Sequence, residues 1–319
     1  MIDVNGISKY FGRVKAVDGI SFRVHEQQNM ILLGTSGCGK TTTLKMINRL
    51  IEPSAGSISI NGKNIQQQQP EVLRRSIGYV LQNNGLFPHY TIAQNIAVVP
   101  QLLRWDKKRI QNRTAELMEK LHLDQSYLNA YPNELSGGQQ QRVGLARALV
   151  SDPPVLLMDE PFGALDNVTR SNIHKEFKAL DELKRKTIIM VTHDVQEAFE
   201  LGDTICLMDK GQIVQSGTPT DLLFNPVNEF VVGFLKDQRL QLEFKAIRLN
   251  DLWDKLPGLP VQSNPDALSG QMDVWEALEL FKHGDKQTLN FINNSNEQKT
   301  IGFEQLMSAF YQFKQRRQA

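Results

Sequence analysis

Residues 34–42 read GTSGCGKTT, and this stretch restricts the fold more than any other. It fits the spacing G-x-x-x-x-G-K-[S/T] throughout. The apolar run Met30–Leu33 leads into Gly34, and Leu44, Ile47 and Ile51 recur at helical spacing after Lys40. A strand, a glycine-rich turn and a helix in that order make a backbone cradle for phosphates. Gly34, Gly37 and Gly39 allow the tight turn, and the helix start adds its positive dipole end. The candidate nucleotide-binding residues are Gly34, Thr35, Ser36, Gly37, Cys38, Gly39, Lys40, Thr41 and Thr42. Lys40 is expected at the β- and γ-phosphates and the Thr41 hydroxyl at Mg²⁺. Cys38 is read as a small side chain tolerated in a turn rather than a reactive thiol.

Residues 155–161, VLLMDEP, supply the other half of such a site. A buried strand ends in Asp159, which is expected to hold the Mg²⁺ shell. Strand alternation would put Glu160 on the opposite face, as candidate general base. The competing reading of paired acids after an apolar run is a capped helix start. Thr187–Thr192 is a further β-branched run. Apolar strands alternating with helices predict an α/β fold with a largely parallel sheet covered on both faces.

Composition removes several classes. With 36 basic and 35 acidic residues the formal charge is +1, which gives no support to nucleic-acid binding. Cys38 and Cys206 are too few and too scattered for a disulfide framework or zinc, so a reducing cytosol is expected. No run approaches eighteen apolar residues, and the N-terminal MIDVNGISKYFG lacks a signal-peptide pattern. A membrane role would have to come through a partner.

The helix after Lys40 is expected to run to Ile51 and stop at Glu52-Pro53-Ser54-Ala55-Gly56. Ser57–Ile60 with Asn61-Gly62 signals a hairpin, and Gln66–Gln69 a loop. Residues 106–123 carry Ile110, Thr114, Leu117, Met118 and Leu121 at helical spacing. A helical subdomain is predicted from about Asn83 to Val150. A domain boundary is predicted near Lys236–Gln241, giving domains 1–236 and 237–319. The second reads as a small α/β unit: a capped helix over Asp273–Lys282, a strand at Leu289–Ile292, and an apolar face of Phe303, Leu306, Met307, Phe310 and Phe313. At about 80 residues it is thin for an independent core.

Residues 135–142, LSGGQQQR, read as a second glycine-rich helix start, without a lysine. With these motifs in one chain, the sequence resembles the ATP-binding subunit of an ABC transporter over residues 1–236. LSGGQ (135–139) matches the family signature. YVLQNNGLFP (79–88) carries Gln82 of the Q-loop, GALD (163–166) ends at Asp166 of the D-loop, and MVTHD (190–194) carries His193 of the switch. Phe11 matches the adenine-stacking aromatic, with Tyr10 as the alternative.

That resemblance implies a P-loop NTPase (RecA-like) core with antiparallel β and helical subdomains. It implies ATP and Mg²⁺, with Thr41, Gln82 and Asp159 toward the metal, and Glu160, His193 and Gln82 as catalytic residues. It implies a head-to-tail homodimer in which Ser136, Gly137, Gly138 and Gln139 of one copy close on the nucleotide of the other, with Asp166 of the D-loop as a further nucleotide-binding residue. Integral-membrane permease subunits, contacted near residues 83–100, and an extracytoplasmic solute-binding protein would complete the system, placing the chain peripherally at the cytoplasmic face of the membrane.

The tracts KMINRLIEPSAGSISINGKNI (45–65) and RRSIGYVLQNNGLFPHYTIAQNIAVVPQLLRW (74–105) resemble the importer branch for glycine betaine, choline, carnitine or proline-type osmoprotectants. ATPases of amino-acid importers look broadly alike, and a soluble non-transport ABC ATPase is the reading from another class. In this branch the tail often carries two CBS modules. Here VWEALELF (274–281) and TLNFINNSNEQKTIGFEQLM (288–307) resemble one degraded module, with simple packing of two tails as the other reading.

Overall fold

The chain begins with β1 (Ile2–Phe11), which doubles back into β2 (Val14–Val24) with Phe11 opposite Val14. Then come β3 (Asn29–Gly34) and α1 (Lys40–Ile47). The helix stops before Ile51 because Arg49 enters the left-handed region at φ 48°. The Leu50 N–H then reaches the Lys45 carbonyl at 2.8 Å and the Arg49 N–H that of Met46 at 3.0 Å, which satisfies the last helical carbonyls. β4 (Ala55–Ile60) and β5 (Lys63–Asn64) form the hairpin that Asn61-Gly62 signalled. The four strands make one antiparallel sheet in the order β2-β1-β4-β5. Where a loop was expected at Gln66–Gln69, a 3-10 turn over Ile65–Gln67 leads into α2 (Pro70–Arg75), which opens on its proline.

The computed structural model describes residues 1–82, 85–163, 167–257, 267–283 and 287–318, and divides into two units, Met1–Ser216 and Gly217–Ala319. The first unit continues with β6 (Ile77–Val80), α3 (Ile92–Leu102), α4 (Lys107–Lys120) and α5 (Gly137–Leu149). Asn83, named as the start of the helical subdomain, lies outside the described residues. There follow β7 (Val155–Asp159), α6 (Asn167–Ala179), α7 (Asp181–Lys184), β8 (Thr187–Thr192), α8 (Val195–Leu201), β9 (Thr204–Asp209) and β10 (Gln212–Gly217).

The central sheet has the order β10-β9-β3-β8-β7-β6, and the pairs β9-β3, β3-β8, β8-β7 and β7-β6 are all parallel. Every residue of β7 and β8 is buried, as continuous apolar runs in a sheet covered on both faces require. One topological result positions the site. Adjacent strands β3, β8, β7 and β6 point the same way, so residues just past Gly34, Thr192, Asp159 and Val80 meet along one edge. Ligands of open α/β sheets bind at that carboxyl edge.

The second unit holds α9 (Pro219–Phe224), α10 (Glu229–Leu235), α11 (Arg239–Ala246), α12 (Leu249–Leu252), β11 (Leu268–Ser269), α13 (Val274–His283), β12 (Thr288–Ile292), β13 (Gln298–Gly302) and α14 (Phe303–Gln318). The compact units divide twenty residues before the boundary read from the sequence (236 − 216). The stretch read as a domain boundary enters α11, whose Leu242, Glu243 and Phe244 are buried. Glu243 is accommodated inside the fold by ion pairs with Arg239 at 2.9 Å and Lys314 at 2.6 Å.

Candidate nucleotide site

The 34–42 loop owes its path to backbone that side chains would obstruct. Gly34, Gly37 and Gly39 have φ of 153°, 79° and 104°. A Cβ on Gly39 would lie 2.4 Å from the Ala16 carbonyl oxygen, and one on Gly34 would lie 2.2 Å from that of Met208. The glycines thus let the loop pass against the backbone of β2 and β9. Lys40 is buried at the start of α1 and donates to the carbonyls of Gly34 and Thr35, each at 2.8 Å. Its ammonium is therefore held inside the ring that the loop makes. Thr35 and Ser36 are exposed and Thr42 half-buried. The Cys38 thiol is buried; burial pushes it up from its ordinary value while the neighbouring Lys40 charge opposes that. A buried protonated thiol fits the inert reading of Cys38.

Thr41 and Asp159 are separated by more than a hundred residues, yet the Thr41 hydroxyl donates to Asp159 Oδ1 at 2.8 Å. Burial raises the Asp159 carboxyl from its ordinary value, against the lowering effect of the Thr41 bond. A hydroxyl and a carboxylate side by side, both hard oxygen donors, suit a magnesium ion that also takes phosphate oxygens. Tyr79, in β6, lies near enough for the Asp159 charge to add to the effect of burial in raising its phenol.

Glu160 departs from the expected strand alternation. β7 ends at Asp159, and Glu160 takes the left-handed φ of 46° while its N–H still bonds the Val191 carbonyl at 3.0 Å. A non-glycine residue there stores local strain. The turn brings Glu160 Oε2 to 3.3 Å from the Gln82 amide nitrogen and 3.2 Å from His193 Nδ1. The three residues singled out as catalytic candidates thus meet on one carboxylate, each delivered by the end of a neighbouring strand. Asp166 lies outside the described residues.

Ser136 caps α5. Its hydroxyl accepts from the Gln139 N–H at 3.3 Å, and its own N–H donates to Gln139 Oε1 at 2.8 Å, a capping box. The Gln139 amide also donates to the Tyr127 hydroxyl at 3.1 Å. Ser136 and Gly137 are exposed, and a Cβ at Gly137 would meet nothing within 4 Å. The helix start is braced from behind and open in front. Phe11, 52% exposed at the end of β1, lies under Lys9 Nζ at 5.3 Å, and Tyr10, 40% exposed, under Lys15 Nζ at 5.8 Å. Both aromatics remain available, so geometry does not choose between them. Sequence reasoning did not single out Thr192, Glu197 and His174, which lie behind His193; the D-x-x-E spacing of Asp194 and Glu197 marks a helix start but not their partners.

The family model described as ABC transporter matches residues 17–163. The choline transport ATP-binding protein OpuBA of Bacillus subtilis is 52% identical over 241 residues, 75% of this chain and 63% of that protein. The chain thus spans less than two thirds of that relative. The glycine betaine uptake system ATP-binding protein YehX of Escherichia coli is 44% identical over 308 residues, 96% of this chain and 99% of that one. The dimeric post-hydrolysis structure of an ATP-binding cassette bound to ADP and Pi superposes with a TM-score of 0.62 at 31% identity, covering 68% of this chain and 98% of that one. A phosphate loop at the end of β3, acids at the end of β7 and near full-length likeness to such proteins have one common meaning: the chain belongs to the ABC transporter family, as one of its ATP-binding subunits.

Proposed function

We propose that the chain hydrolyses ATP to drive import of a glycine betaine-, choline- or carnitine-type solute through a separate permease. The convergence of Gln82 and His193 on Glu160, beside the Thr41–Asp159 pair, carries the hydrolytic part. The likeness to choline and glycine betaine transport subunits supports the solute class.

In this reading the 34–42 loop binds the phosphates through its N–H groups, and Lys40 exchanges its carbonyl partners for the β- and γ-phosphates. Phe11 or Tyr10 stacks on the adenine. Thr41 and Asp159, with Gln82, would hold Mg²⁺, which supplies charge neutralisation on the phosphates when bound. Glu160 takes the proton of the attacking water, and His193 steadies that geometry from 3.2 Å. Catalysis is mostly positioning and charge stabilisation.

Ser136, Gly137, Gly138 and Gln139 act in trans, as an open helix N-terminus presented to the nucleotide of a second copy, and Asp166 joins the nucleotide-binding residues. The dimeric form of the cassette bound to ADP and Pi supports this arrangement. Residues 1–236 act as the ATPase domain, and the permease docks near residues 83–100 with a solute-binding protein beyond it. Among the described residues no helix is long and apolar enough to cross a membrane. In this reading the chain attaches peripherally at the cytoplasmic face through the permease. Residues 237–319 form one CBS-like module. The order β11-α13-β12-β13-α14 supports this, with β12 parallel to β11 and antiparallel to β13.

Uptake of labelled glycine betaine by cells expressing the chain with its permease tests the reading. Unlabelled choline or carnitine is expected to compete and polar amino acids are not. Competition by amino acids alone would move the chain to an amino-acid importer. ATP hydrolysis stimulated by nucleic acid and indifferent to the permease would make it a soluble ABC ATPase.

A further inference from the structure

Behind the exposed His193 lies a buried polar cluster that the mechanism above does not use. Glu197, on the first turn of α8, and His174, on α6, are only 3% and 4% exposed. The Thr192 hydroxyl donates to Glu197 Oε2 through a short hydrogen bond. That same hydroxyl accepts from the Asp194 N–H at 3.0 Å, and Asp194 Oδ1 accepts from the Glu197 N–H at 3.1 Å. Asp194 is further held by Arg170 at 2.8 Å. The residues before and after His193 are therefore closed into one hydrogen-bonded ring, and Glu197 is the group that completes it.

The cluster also reaches the other partner of His193. His174 packs edge-on against Phe162, with ring centroids 4.9 Å apart, and bonds Glu200 through Nδ1 at 3.0 Å. Phe162 lies in the turn that follows Glu160, where the Gly163 N–H bonds the Glu160 carbonyl at 3.2 Å. His174 Nε2 faces Glu197 Oε1 at 3.9 Å, and neither atom has a hydrogen-bond partner among the described residues. Burial pushes the Glu197 carboxyl up to about 7, despite the bond from Thr192 and the nearby His174 and Arg170. An acid placed there costs folding free energy that an apolar side chain would avoid. Its geometry offers a return: one buried pair touches both loops that bring Glu160 and His193 to 3.2 Å.

We propose that Glu197 is a positioning residue for hydrolysis, locking the Thr192–Asp194 segment so that His193 meets Glu160, with His174 joining that lock to the Phe162 turn. This rests on the role given to His193 above. The lock acts on the geometry of turnover and not on nucleotide affinity, since none of its members belongs to the 34–42 loop.

The test is steady-state ATP hydrolysis by the full chain with its permease, comparing Thr192→Val, Glu197→Ala, Glu197→Gln, the Thr192→Val/Glu197→Ala pair and His193→Ala. Thr192→Val keeps the side-chain shape but leaves Glu197 without its hydroxyl donor, so thermal unfolding is run beside the assay to separate loss of fold from loss of turnover. Thr192→Val and Glu197→Ala are each expected to lower kcat about tenfold at unchanged KM for ATP, and the pair no further, because both open the same ring. Glu197→Gln keeps an oxygen for Thr192 and is expected within about threefold of the parent. If Thr192→Val keeps the parental kcat while His193→Ala is impaired, the lock is wrong and the hydrolytic reading stands. Additive losses in the pair, or a raised KM at constant kcat, also overturn the lock. If His193→Ala itself turns over at the parental rate, the reading beneath the proposal fails.

Discussion

Gly39 carries more of this site than its lack of a side chain suggests. Its φ of 104° and the Ala16 carbonyl 2.4 Å from a would-be Cβ mean that Gly39→Ala must move β2, α1 or the loop between them. A loss of about 2–3 kcal/mol in stability is expected, together with loss of measurable ATP affinity. Gly37→Ala makes a useful contrast. Its φ of 79° is strained, but no atom lies within 4 Å of the added carbon, so about 1 kcal/mol is expected. Thermal unfolding with a fluorescent-nucleotide titration measures both effects. At this scale the loop and the Asp159–Glu160 pair were legible from residue type and spacing, and His193 only from the family resemblance, since a histidine after a strand has no signal of its own. The strained backbone of Glu160 was not, since nothing in MDEP announces where the strand stops. Glu197 and His174 were not legible either, because their meeting depends on how α6 and α8 pack, which helical periodicity does not encode.

Elements are braced to one another by charge as well as by apolar contact. Glu182 on α7 accepts from Arg113 Nη1 and Nη2 at 3.2 Å and from Lys120 at 2.6 Å, both on α4. Burial alone would raise this carboxyl, but the bonds from Arg113 and Lys120 outweigh it and hold Glu182 at about 2. A carboxyl depressed on folding stabilises fully above its unfolded value near 4.5, and the contribution is lost as pH falls through about 2. Glu182→Ala is therefore expected to cost about 2 kcal/mol at pH 7, with Glu116 retaining part of the cation pairing, and the gap should close between pH 4.5 and 2. Urea unfolding of parent and variant across that range checks it.

Strands β3, β7 and β8 were legible as apolar runs, and α4, α13 and α14 as amphipathic faces. β1 was not, because register shifts after Val4, Ile7 and Lys9 break its alternation. α2 escaped notice because six residues are fewer than two turns of any pattern. α11 was hidden by the charge of Glu243, whose partners come from four and 71 residues away.

On the scale of the whole molecule, the sequence set out one complete phosphate loop and one helix start that resembles half of another. The structure brings the loop, Glu160 and His193 to one sheet edge and leaves Ser136 and Gly137 open to solvent. In the proposed function they join across two copies of the chain, with Glu160 as the base that ends the closed state. The most direct measurement is the solution mass of Glu160→Gln with ATP and Mg²⁺, read beside phosphate release. A stable ATP-dependent dimer with no phosphate release is expected, and adding Ser136→Arg should return it to monomer. Phosphate release at the parental rate would contradict Glu160 as the base. A dimer that survives Ser136→Arg, or a mass that stays monomeric with ATP bound, would contradict the composite site.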